Sequence, residues 1–153
     1  MNMTKKAKVA YTKRIYSRDL GIDLSCKDES QLFKWFLVCL LFGKPIQQEV
    51  AKRTYFEFIN SGLVNPDAIL AAGWDKLVEV LDKGHYVRYD YSTATKLLDI
   101  SSQLKKEYGS VSNLMKQSKN YSDLSRNLQR FKGVGPVTAR IFIRDLKKGG
   151  RLT

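Results

Sequence analysis

The residues best placed to do chemistry lie near the end of the chain, in Phe131-Lys132-Gly133-Val134-Gly135-Pro136-Val137-Thr138-Ala139. Two glycines around one apolar residue permit a tight turn and a close approach of backbone to ligand, since neither carries a Cβ. Pro136 suits the first position of a helix, where a missing N–H goes unused. The free amides of the turn and of the helix start then point outward together. The helix dipole adds partial positive charge, so the turn favours an anion. Lys132 sits inside the turn, and Arg140 and Arg144 follow on the helix. With those cations beside it, the expected anion is a nucleic-acid phosphate, bound by Lys132, Gly133, Val134, Gly135, Thr138 and Arg140. Valine at either glycine is expected to abolish binding while sparing helicity, because a β-branched residue resists the turn.

The distribution of charge agrees. The chain has 153 residues and a net charge of +12, long enough for one domain with a core and basic enough to imply a polyanionic partner. Residues 1–27 carry seven Lys/Arg against two acids, and residues 130–153 carry seven against one. The stretch between is nearly neutral, with thirteen against twelve. The excess is thus concentrated at two ends that can converge on one face; a solubility device is the alternative reading. Cys26 and Cys39 match no ligand spacing, so no metal and no cofactor is expected. Lys5, Lys6 and Lys8 precede no apolar run of signal-peptide type. The one apolar stretch, Leu32 to Phe42, is interrupted by Lys34 and too short to span a bilayer. A cytoplasmic protein with no membrane contact is expected.

A second cluster combines ring surface with charge. His85, Tyr86, Arg88, Tyr89 and Tyr91 suit an extruded base or a single strand, with His85, Tyr86 and Tyr89 as the candidate base pocket and Arg88 as a phosphate contact. The alternative is that the tyrosines seal a helix junction and keep their hydroxyls at the surface. Gln47 and Gln48 can reach base edges. His85 is the only histidine and lacks partners for a metal.

The elements that must position these groups all read as helices. Asp28 or Ser30 caps a segment with Leu32, Trp35, Phe36, Cys39 and Leu40 at three- and four-residue steps, ended by Gly43. A second runs from near Pro45 to Gly62. Asn65-Pro66 opens a short helix to Ala72, and Trp74 to Leu81 forms another. A long helix covers about 92–108, with Ala94, Leu97, Leu98, Ser101 and Leu104 inward. Short ones cover 111–117 and 121–130, and the last covers 136–147. No segment alternates with period two. The fold class expected is an all-α orthogonal bundle of about eight to ten helices, with a basic N-terminal segment over 1–27 and a single domain over 28–153.

This order of features resembles the endonuclease III-like DNA glycosylases of the helix-hairpin-helix superfamily, over about Asp28 to Leu146. The resemblance rests on Leu40-Leu41-Phe42-Gly43-Lys44, on Gly84-His85-Tyr86-Val87-Arg88-Tyr89 leading to Thr93-Ala94-Thr95-Lys96, and on Leu128 to Ala139. It implies a six-helix barrel that grips double-stranded DNA by the hairpin and turns a damaged or modified base out of the stack for base-excision repair. Lys44 stands where relatives carry a residue that probes the duplex. Family members use an Asp beyond the second hairpin helix to stabilise positive charge at C1′ or to activate the nucleophile. Bifunctional members add a Lys whose amine forms a Schiff base with the sugar. The Lys position is Val137 here, and the Asp position falls past Thr153, so no catalytic residue is assigned. Any activity is expected to be monofunctional cleavage of the N-glycosidic bond. Asp145, the only acid after the hairpin, is expected to be solvated among Arg144, Lys147 and Lys148. The four-cysteine segment of many relatives is absent, so no iron-sulfur cluster is expected, and the chain is expected to be a monomer at the nucleoid. Two other functions stay open: a non-catalytic DNA-binding module, and a helical interaction domain whose basic surface meets an acidic protein.

Overall fold

Asp28 starts the first helix, accepting the Ser30 N–H at 3.1 Å. The helix that follows, α1 (Glu29–Leu41), is apolar nearly all round, with every residue from Trp35 to Leu41 buried. A helix without a polar face has to be surrounded, and α1 is packed by α2 (Gln48–Asn60), α5 (Val111–Lys116) and α7 (Pro136–Lys148). The remaining helices are α3 (Pro66–Lys83), α4 (Asp90–Glu107) and α6 (Tyr121–Gln129). The computed structural model describes residues 14–26 and 28–148, and all the regular structure among them is helical, as the sequence predicts.

The starts of these helices follow local chemistry. Asn65, Ser110 and Asn120 each accept the N–H three residues on, at 2.8, 3.0 and 2.8 Å, satisfying a donor that the helix leaves orphaned. Gly73 has φ +79 within α3 and breaks it where two helices are expected, between Ala72 and Trp74. Among the described residues there are seven α-helices and three one-turn 3-10 segments, Ser17–Leu20, Leu24–Cys26 and Val87–Tyr89.

Phe36 of α1 meets Phe131 and Phe142 with ring centroids 6.1 and 5.8 Å apart, and the Trp35 indole N–H donates to the Phe142 carbonyl at 3.3 Å. These contacts hold α7 and the turn before it on the central helix.

Two expectations about the ends need correction. Leu20, Ile22 and Leu24 are buried in the same core as α1, so residues 14–26 belong to the folded unit rather than to a separate basic segment; residues 1–13 lie outside the described part. Asp145 is not solvated but 4% exposed. Its carboxylate accepts the Ser17 N–H at 2.6 Å and the Arg144 Nε–H at 2.7 Å. Arg144 also donates to the Ile15 carbonyl at 3.0 Å and lies 4.4 Å over the Tyr16 ring. The acid pins the N-terminal segment onto α7.

Candidate nucleic-acid interface

Between α6 and α7 the two glycines do different work. Gly133 has φ +92, and a Cβ there would lie 2.8 Å from Lys96 Cδ. It is glycine because of its backbone angle and of the side chain beneath it. Gly135 lacks a positive φ, and a Cβ on it would meet only open space, so its bare backbone faces outward. The first internal bond of α7 runs from the Ala139 N–H to the Gly135 carbonyl at 3.2 Å, which leaves the Val137 and Thr138 amides ahead of the hydrogen-bonded ladder. Lys132 and Arg140 are exposed on either side.

Two residues expected to contact DNA are otherwise engaged. Val134 is buried, and its N–H closes the turn on the Phe131 carbonyl at 3.0 Å. The Thr138 side chain is also buried; a Cβ on Gly43 would stand 2.8 Å from its hydroxyl. That contact seats α7 on the loop after α1, and at Thr138 it leaves the amide, ahead of the hydrogen-bonded ladder, as the one group available to an anion.

Lys96 is the polar residue that sequence reasoning missed. It is 8% exposed, its stem runs under Gly133, and its ammonium donates to the Leu40 carbonyl at 3.2 Å near the C-terminus of α1. Burial and the neighbouring Lys44 charge push its pKa down to about 8. Lys44 itself lies 5.5 Å over the Tyr89 ring, and Arg88 lies at the same distance from that ring. Lys44, Arg88 and Tyr89 are thus brought together, next to the turn.

The base pocket expected at His85, Tyr86 and Tyr89 is not assembled. Tyr86 has no exposed surface, and its hydroxyl donates to the Leu41 carbonyl, so it seals the end of α1 as in the alternative reading, but with its hydroxyl buried and not at the surface. Burial also raises its pKa well above the ordinary range. His85 is exposed at φ +68, and the Tyr91 ring packs at a tilt against Trp74, centroids 5.0 Å apart.

A concave site lies instead beside α7. It is a cleft of about 470 Å³ whose apolar lining is Ile15, Phe42, Ile46 and Ile141. Its polar lining is Arg14, Gln48, Arg140 and Arg144, and the volume is within the range of small-molecule pockets. Arg14 and the N-terminal wall of the cleft could not be found from sequence, since the docking of residues 14–26 through Asp145 builds them. No carboxylate lines the cleft among the described residues. No group of three or more His, Cys, Asp or Glu among them can hold a metal, and no helix among them is long and apolar enough to cross a membrane. Compared with protein-family models, curated proteins and solved structures, the chain matches none.

Proposed function

We propose that this protein binds double-stranded DNA as a base-excision-repair protein of the endonuclease III-like kind. The turn before α7 grips one phosphate as a helix-hairpin-helix does, and Lys132, Arg140, Lys44 and Arg88 meet its neighbours. The observation that carries this reading is the pairing of an outward-facing Gly135 and of Val137 and Thr138 amides, unbonded among the described residues, with exposed Lys132 and Arg140. An anion there gains main-chain donors, the helix dipole and side-chain charge together. The extruded base then belongs in the cleft flanked by Arg140 and Gln48, not at Tyr86.

Val137 is 48% exposed on this surface and offers no amine, so Schiff-base strand cleavage has no nucleophile at that position. Any base removal would be monofunctional, with water replacing the base at C1′, and would need a carboxylate to stabilise the positive charge, a group that does not line the cleft among the described residues. Asp145, buried and engaged by Ser17 and Arg144, does not supply it.

The test is the salt dependence of affinity for a short duplex. With Lys132, Arg140, Lys44, Arg88 and Arg14 each neutralising a phosphate, log K should fall against log[salt] with a slope of about −4.5. A flat dependence would remove every DNA reading. Single-turnover assays on duplexes with uracil, alkylated or oxidised bases, followed by hot alkali, divide enzyme from binding module. Abasic sites mark a glycosylase, and their absence on every substrate leaves the module.

A further inference from the structure

The hydrogen bonds around the cleft fix what kind of ligand it can take. The Ile15 N–H donates to Gln48 Oε1 at 2.9 Å. An N–H must be met by the oxygen of the amide, so the orientation of Gln48 is set: Oε1 is taken up by the backbone of the docked segment, and its NH₂ has no partner among the described residues. Arg144 uses its Nε–H on Asp145 and one terminal nitrogen on the Ile15 carbonyl, leaving the other terminal nitrogen. Arg14 and Arg140 are exposed, and among the described residues no hydrogen bond or ion pair engages their guanidinium groups. Apart from the second lone pair of Gln48 Oε1, the side-chain polar groups that the cleft still offers are therefore donors, and three of the four residues that supply them are cationic. Between them lie the isoleucines and Phe42, a surface for a flat apolar ring.

We propose that this cleft selects a nucleobase with a carbonyl oxygen, not an amine, on the edge remote from the sugar, carried by a phosphate that Arg14 and Arg140 hold. This inference deepens the DNA reading and rests on it only for the source of the base. Phosphate on the exposed arginines sends the far edge of the ring inward, toward Gln48. Uracil or thymine presents O4 there, and hypoxanthine or guanine presents O6. Cytosine and adenine present an exocyclic amine, which sets donor against donor and forfeits that hydrogen bond. The loss of one hydrogen bond with an unmet donor gives a preference of about tenfold or more. Gln48 is thereby a specificity-determining residue, held in register by the backbone of the docked N-terminal segment.

The experiment compares dUMP with dCMP, and dIMP with dAMP, by titration of the full chain with methyl-labelled isoleucines. Ile15, Ile46 and Ile141 report the cleft. The expected result is saturable shifts at those methyls, with the keto member of each pair bound about tenfold more tightly. Gln48→Glu keeps an acceptor for the Ile15 N–H and replaces the NH₂ by an oxygen, so the preference within each pair should reverse even if the added charge weakens both. Equal affinities within pairs, or no shift at the three isoleucines at millimolar nucleotide, would overturn the inference. A parallel titration with an unmodified duplex keeps the two failures apart. Salt-dependent duplex binding with no keto preference ends the specificity proposal alone, whereas loss of duplex binding ends the DNA reading. A single strand bearing uracil in place of cytosine distinguishes a base within DNA from a free nucleotide: if the preference appears only in the mononucleotides, the ligand is a free nucleotide and the proposal for DNA falls.

Discussion

Alanine at Gly133 and alanine at Gly135 should do opposite things, although the sequence treats the two glycines alike. At Gly133 the φ of +92 puts an L-residue in the left-handed region, at about 1–2 kcal/mol. The new methyl would also lie 2.8 Å from Lys96 Cδ and 3.1 Å from Cγ. That stem cannot simply swing away, because its ammonium is held on the Leu40 carbonyl; displacing it adds about 1–2 kcal/mol. A total of about 3 kcal/mol lowers Tm by roughly 6–12 °C in a chain of this size. At Gly135 no strain and no clash arise, so stability should change by less than about 0.5 kcal/mol. The methyl there stands where a phosphate has to approach, and duplex affinity should fall about tenfold, the worth of one charge-assisted bond. Thermal unfolding and fluorescence anisotropy with a labelled duplex, run on both variants, read the two effects separately. The reasoning is refuted if Gly135→Ala lowers Tm as much as Gly133→Ala, or if Gly133→Ala unfolds like the parent.

Lys96 should give stability an alkaline rise. Its folded-state pKa of about 8 lies below the ordinary 10.5, so between those values the unfolded chain binds more protons and stability climbs with pH. Urea unfolding at points across that window should show the rise in the parent and not in Lys96→Met. Asp145→Ala removes the acceptor for Ser17 and Arg144 and should cost about 2–3 kcal/mol. Hydrogen exchange should then accelerate in residues 14–20 before it does in α1. Tyr86→Phe deletes the bond to the Leu41 carbonyl and should cost about 1–2 kcal/mol while leaving duplex affinity unchanged. Lower affinity with unchanged stability would return Tyr86 to the interface. Lys132→Ala combined with Arg140→Ala should flatten the salt slope by about 2, one for each lost phosphate contact.

The helices were legible because their signals are local. Asp28, Asn65, Ser110 and Asn120 are caps by side-chain chemistry alone, and the break at Gly73 falls between segments that the apolar spacing already separates. The Gly133-to-Pro136 turn was legible for the same reason. Side-chain assignments failed where a distant element decides the environment. Val134 and Thr138 read as contacts because they flank the glycines, yet Val134 closes the turn and Thr138 fills the space over Gly43. Asp145 sits among cations in sequence, and a segment more than a hundred residues away buries it.

Lys96 marks the deeper reason, and also the signal that could have revealed it. On α4 it stands next to the stripe of Ala94, Leu97, Ser101 and Leu104, and nothing in that helix asks for a buried cation. The demand comes from α1. Its residues from Trp35 to Leu41 are all buried, so its final carbonyls lack water and have few backbone donors within reach. Some donors in the chain must reach them, and a cation is favoured at that end of the dipole. The Tyr86 hydroxyl on Leu41 and the Lys96 ammonium on Leu40 are those donors. A helix that ends in an unbroken apolar run, as α1 does from Trp35 to Leu41, therefore forecasts polar side chains brought to its C-terminus from elsewhere, and here one of them, Lys96, has its stem under Gly133 in the turn before α7.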